Sequence, residues 1–372
     1  MIQGGRKLSQ MLPEEFALDL YGYAAIIRLV EKRGEMDISL TKKRRDAEIE
    51  KENSLRGKTD MFSGMRYNNT RGKRLKLDQE VHDKKRWLDA WLKKAWAAID
   101  REHSFSFVED LKSQPLERLL AQYDAPEEKR FKRYLIMQEA VLTPLYGRLE
   151  GLPDVKVSEI DKEAGLEFAA RICSLPASAG KELLARTNAF IKEATNYWER
   201  LIKYTMAGTL ALIVTAGLAA PALAGAVGAA MGLHGAAAFT AGLAFFGGGA
   251  VAAGGLGMAG GLTVLVGGGA VLGAVGGAGL AHILELPKET MLLSMAKLVN
   301  YVNYLTSLKP TIHSQTVTLS ILEQFLRFKN QLETEMLCGS TVAKDSERGL
   351  VLSNTLNHTF EALYKTVVMG KR

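Results

Sequence analysis

Apolar residues near the start of the chain fall three and four positions apart, the spacing of one helix face. Leu12, Phe16, Leu20, Ala24, Ile27 and Val30 make such a face, which predicts a helix over residues 12–32. Charges of both signs alternate from 36 to 60, the pattern of a solvated helix or a connector. The run MFSGMRYNNTRGKR, with Gly64, Asn68, Asn69 and Gly72, reads as a loop. Helical spacing resumes over 78–102, where Trp87, Leu88, Trp91, Leu92, Ala95 and Ile99 share a face. Pro115, Pro126, Pro144, Pro153 and Pro176 then punctuate shorter helices, and another is expected over 180–203. Three more are expected over 286–308, 316–337 and 354–368. The flanks show no strand-like alternation and no internal repeat, so the expected fold class is all-α.

Between Lys203 and Glu285 this patterning stops. The 81 residues from Tyr204 to Leu284 contain no Lys, Arg, Asp or Glu, and 22 of them are Gly and 23 are Ala. A bilayer accounts for such a stretch better than a soluble core does. One crossing of a hydrocarbon core takes roughly 20 helical residues, so the segment has room for two to four. Glycine-rich breaks divide it near 206–230, 236–256 and 260–283, and Pro221 would kink the first piece. The chain thus reads as three regions: a charged helical region 1–203, a Gly/Ala-rich membrane hairpin or small bundle 204–284, and a helical region 285–372.

Glycine makes the central segment's structure conditional. In water each Gly costs a helix about 1 kcal/mol relative to Ala. In lipid an unbonded peptide group costs several kcal/mol, so helix is favoured there despite the glycines. Small residues also let helices approach closely. Gly228 and Gly232, Gly257 and Gly261, and the series Gly269, Gly273, Gly277 have the four-residue spacing for it. Trp198, Lys203 and Tyr204 suit the aqueous boundary before the first crossing. His234, in a break, and His282, near the far end, suit later boundaries, with a pH-sensing role as the sharper alternative.

Charge adds direction. Residues 1–203 carry a net +5 and residues 285–372 a net +2. The apolar stretch near the N-terminus is interrupted by Glu14, Glu15, Asp19 and Arg28, which does not fit a signal peptide. The N-terminal region is therefore expected to stay on the cytoplasmic side. Residues 41–94 hold 17 Lys and Arg against 9 Asp and Glu. Arg71, Lys73, Arg74 and Lys76, with Lys84, Lys85, Trp87 and Trp91, form a candidate basic surface with interfacial tryptophans. An ordinary core helix with its Trp face inward ranks first for this stretch, membrane-surface contact second and nucleic acid third.

The chemistry of catalysis finds no foothold. There is no GxSxG, no HExxH and no paired CxxC, and Cys173 and Cys338 stand far apart. The nearest approach to a phosphate loop, Ala179-Gly180-Lys181-Glu182, lacks the first glycine and the hydroxyl residue, and reads better as a helix start capped by Ser178. The six histidines are scattered. No catalytic, cofactor or metal residue is expected.

The stretches Met206–Ala230 and Ala236–Ile283 resemble the Ala/Gly-rich hydrophobic hairpin of colicin-type pore-forming domains. That resemblance implies a water-soluble helical bundle that hides the hairpin and releases it into a membrane. The segment here is longer than such a hairpin, and 88 residues follow it. The expected function is a membrane-inserting effector, of bacterial toxin or defence type, that permeabilises or perturbs a bilayer and self-associates. Its first alternative is an integral-membrane scaffold or sensor whose helical domains bind a protein partner. A membrane-tethered enzyme comes third. A peptide spanning 204–284 is expected to gain helical circular dichroism on transfer from buffer to lipid vesicles; equal helicity in both would contradict the conditional fold.

Overall fold

The computed structural model describes residues 18–57, 61–100, 105–125, 127–143, 145–146, 152–153, 155, 159–194, 288–338 and 347–369. The apolar segment lies outside the described residues. Every described element is an α-helix: α1 Leu20–Leu55, α2 Met61–Asp100, α3 Phe105–Ser113, α4 Leu116–Ala121, α5 Glu127–Leu142, α6 Glu159–Ile172, α7 Ala179–Ala194, α8 Lys288–Ser307, α9 Ile312–Leu337 and α10 Glu347–Met369. No described helix is long and apolar enough to cross a membrane.

Asp19 starts α1: its backbone is extended and its carboxylate accepts the Gly22 N–H at 3.0 Å. The helix then runs 36 residues without a break, joining two stretches that the sequence separates. Its first half is buried and its second half is solvated. In that outer half, intrahelical pairs such as Lys51–Glu48 at 2.7 Å add only tenths of a kcal/mol each.

The expected loop at 61–74 is instead the first part of α2, a helix of 40 residues. Gly64 and Gly72 have open space where a side chain would stand, so neither is a glycine for want of room. Continuity with the packed part of α2, together with ion pairs to α1, overrides the weak local propensity. Arg74 ties the pair together, reaching Glu52 of α1 at 2.6 Å and Asp78 of its own helix at 2.8 Å. Closer to the body, Trp87, Leu88, Trp91 and Ala95 of α2 turn into the core.

Two helices form the centre. Residues 133–143, most of α5 with Thr143 beyond it, are all buried, and so are residues 292–302 of α8. These two helices are antiparallel, since Phe131 meets the Tyr304 ring and Glu139 meets Lys297. α10 lies parallel to α8: Thr359 donates to the Met295 sulfur, and Thr366 donates to Asn303 seven or eight residues on. α7 runs antiparallel to α8. Its Thr187 bonds Asn300, while Phe190 and Glu193 reach His358, beside the level of Met295. Buried side chains from both flanks of the apolar segment belong to one hydrophobic core.

Gly180 has a packing reason. A Cβ there would sit 2.6 Å from the Leu166 carbonyl oxygen of α6, so only glycine lets α7 start against that helix. This disposes of the phosphate-loop likeness at 179–182 in favour of the helix start. Thr311 and Ser314 form a reciprocal capping box that opens α9.

Four phenols report on this packing. Burial, then the neighbouring Asp19 and Asp37 carboxylates, hold Tyr123 and Tyr146 well above the ordinary tyrosine range. Burial raises Tyr134 likewise and takes Tyr304 to about 12. A phenol whose folded pKa exceeds its unfolded value near 10.0 stabilises the fold fully below that pH and loses the contribution as pH rises. In an alkaline titration these four are therefore expected to form tyrosinate together with the loss of helical circular dichroism. Complete tyrosinate formation before any helix is lost would contradict the packing.

Candidate functional site

The described body carries two buried ionic clusters, and one of them joins helices from the two sequence flanks of the apolar segment. Lys297 of α8 meets Glu139 of α5 at 2.5 Å, and both side chains are only 2% exposed. The pair joins residues 158 positions apart, one before the segment and one after it. Asn300, one turn on, donates from its amide to Thr187 of α7 at 2.8 Å, and the Tyr134 hydroxyl donates to the Asn300 carbonyl at 3.2 Å. The Tyr134 ring stacks on Tyr304 with centroids 4.1 Å apart. α5 and α7 are thus pinned to α8 by directional polar contacts inside an apolar shell.

This arrangement sets where the described chain stops before the apolar segment and where it resumes after it. α7 is the last described helix before it and α8 the first after it, and they lie side by side in opposite directions. Ala194 and Lys288 accordingly lie at the same end of the pair. A buried pair of this kind gains little over apolar packing, but losing one partner leaves an uncompensated charge at about 3–5 kcal/mol. Its use is register: α8 can dock on α5 only where the ammonium finds the carboxylate.

The second cluster sets the register of α1 against α2. Lys84, fully buried, lies 2.7 Å from Asp37 and 2.7 Å from Glu80, and donates to Thr41 at 2.8 Å. Those three acceptors match the three protons of an ammonium. Tyr146 donates its hydroxyl to Asp37 at 2.7 Å and sets its ring edge on Trp87, centroids 5.2 Å apart. Tyr146 is held at φ 61°, a left-handed conformation that costs a non-glycine residue about 1–3 kcal/mol. The core contacts of its ring and hydroxyl hold it there. Beneath it, Arg33 donates to the carbonyls of Ala140 and Thr143, which are left open where α5 ends. Burial lowers the Arg33 guanidinium to about 10. An ammonium with every proton placed on an acceptor is a structural element and no nucleophile.

The candidate basic surface therefore divides. Trp87 and Trp91, at 2% and 3% exposure, turn inward as the first-ranked core-helix reading expects, and so do not form an interfacial surface. Lys84 is the correction: expected to face water, it is buried on the same α2 stripe. Arg71, Lys73, Lys76 and Lys85 are exposed and Arg74 is half-buried in its ion pairs. The expected helix-packing glycines Gly228, Gly232, Gly257, Gly261, Gly269, Gly273 and Gly277 lie outside the described residues, as do Trp198, Lys203, Tyr204, His234 and His282. Among the described residues no group of His, Cys, Asp or Glu could hold a metal ion. Cys173 is buried, which pushes its thiol up to about 12, and Cys338 is exposed.

The sequence reading missed Asp37, Glu139 and Lys297. Glu139 and Lys297 have a visible signal, a lone charge inside an apolar run, in YLIMQEAVL and MLLSMAKLV. Asp37 has none, since it stands among Glu31, Lys32, Arg33 and Glu35. No protein family, curated protein or solved structure matches this chain.

A double-mutant cycle measures the clamp. In urea unfolding, Glu139→Leu and Lys297→Met are each expected to cost about 3–5 kcal/mol, and the double variant to regain most of that loss. Additive losses would show that the two side chains do not act as a pair.

Proposed function

We propose that this chain is a membrane-inserting effector that permeabilises or perturbs a bilayer through residues 204–284. The observation that carries the reading is the antiparallel α7 and α8 pair, pinned across the segment by Thr187, Asn300, Glu139 and Lys297. An insert whose two ends are held at one end of one body enters and leaves a bilayer on the same face. It crosses an even number of times, two or four within its length. The body stays on the side where it was made, which this reading takes to be cytoplasmic.

Composition favours an active insert over a passive anchor. Leu, Ile and Val would offer lipid more apolar surface than the 45 Gly and Ala among these 81 residues do. Small residues suit helices that pack on one another, within one chain or between copies. The partners proposed are the bilayer and further copies of the chain. No catalytic role is proposed for the buried clusters.

The scaffold reading draws on one feature, the large apolar side chains that α9 leaves in solvent: Ile312, Leu319 and Leu337 are 88%, 57% and 67% exposed. Dye-loaded liposomes separate the two. The full chain is expected to release dye in proportion to the protein added. No release at high protein-to-lipid ratio, with alkali-resistant membrane association, would favour the scaffold and sink the permeabilising effector.

A further inference from the structure

α1 and α2 do not end where the body ends. The last buried residue of α1 is Thr41, and the first side chain that α2 gives to the hydrophobic core is Val81. Outside those two points the described part of the hairpin has one buried residue, Ser63. At about 1.5 Å per residue the outer arm is some 20–30 Å long. An arm this long, with so little buried apolar surface, has no role in core packing. From Lys42 to Glu80 the sequence holds 12 Lys and Arg against 7 Asp and Glu.

The acidic side chains of the arm are largely spoken for. Glu52 and Asp78 bind Arg74, Glu48 binds Lys51, and Glu80 binds Lys84 at the arm's base. Arg66, Lys73 and Lys76 form no ion pair among the described residues. With Phe62, Met65 and Asn69 they occupy positions separated by three and four, one stripe of α2. All six are exposed, and Phe62 and Met65 are so to 75% and 74%. Two large apolar side chains at the far end, followed by three unpaired cations along the same stripe, form an amphipathic face with no partner in the body.

We propose that this arm docks the protein on anionic phospholipid head groups, with Phe62 and Met65 entering the interface and Arg66, Lys73 and Lys76 facing lipid phosphates and carboxylates. The charge is complementary: cations near an anionic leaflet gain free energy additively, and aromatic or sulfur side chains partition into the boundary. A nucleic acid would meet the cations equally well but would leave Met65 without a use. The docking adds a lipid class to the membrane reading and does not depend on permeabilisation. It also makes that encounter salt-sensitive.

Vesicle flotation of the full chain tests it, with pure phosphatidylcholine compared against phosphatidylcholine carrying about one-third phosphatidylserine. The arm is solvent-exposed, so R66E/K73E/K76E and F62A/M65A are expected to keep the wild-type circular dichroism. Phosphatidylserine is expected to raise binding at low salt. The charge reversal is expected to lower that binding on the order of a hundredfold, and the apolar pair to lower it several-fold. Equal binding to both vesicles, or unchanged binding by R66E/K73E/K76E, would overturn the docking. So would a duplex DNA that binds more tightly than the vesicles and loses binding with the same variant. Dye release tells the two proposals apart. Tip-dependent flotation without release keeps the docking and sinks permeabilisation. Release that ignores both phosphatidylserine and the tip variants does the reverse.

Discussion

A carboxylate and an ammonium leave water together only where they meet, and the Glu139–Lys297 pair imposes that condition on the whole body. α5 and α8 are surrounded on nearly all sides, so apolar packing alone would tolerate sliding one along the other. The ion pair, with Asn300 and Thr187 one turn away, selects a single register. Because Glu139 precedes the apolar segment and Lys297 follows it, that register also places Ala194 and Lys288, the described ends of the two flanks. α10, parallel to α8, and α7, antiparallel to it, are placed by the same choice. The cluster at Lys84 performs the equivalent task for α1 and α2 and keeps the long hairpin in line.

Holding a long insert in this way is physically inexpensive. Closing a flexible loop costs free energy only with the logarithm of its length, about 0.6 kcal/mol per doubling. Replacing a short α7–α8 connection by the residues between Ala194 and Lys288 therefore takes little from a body of this size. What the insert does is left to its own composition. Glycine disfavours helix in water and a bilayer favours it, so in the proposed function the environment changes the insert while the clamp holds the body in one register. The proposed tip of the α1–α2 arm would set the distance and orientation at which that body meets a membrane.

Much of the helical framework was legible in sequence. The stripes over 78–102 and 286–308 placed α2 and α8 because a core-facing helix must repeat near 3.6 residues. The run around Gly64 and Asn68 misled, because glycine and asparagine speak only of local propensity while the α1 partner is remote in sequence. Lys84 belonged to the inward face all along: it stands three, four and seven positions before Trp87, Leu88 and Trp91. Its charge argued for water, and only the acceptors Asp37, Glu80 and Thr41 reverse that argument. Glu139 and Lys297 were each visible as an isolated charge in an apolar run. Nothing in a single sequence links them across 158 positions, so the clamp became apparent only with the fold.

The most direct measurement is the sidedness of the two flanks once the chain is in a membrane. Lys85 in α2 and Lys365 in α10 are exposed and stand on opposite sides of the apolar segment in sequence. Each can be replaced by Cys in a Cys338→Ser background, reconstituted in sealed vesicles and treated with a membrane-impermeant thiol reagent. Labelling of both positions from the outside, to the same extent, is the result expected of an insert clamped at one end of the body. Labelling of one position with protection of the other would mean that the flanks lie on opposite faces, and would contradict the clamp.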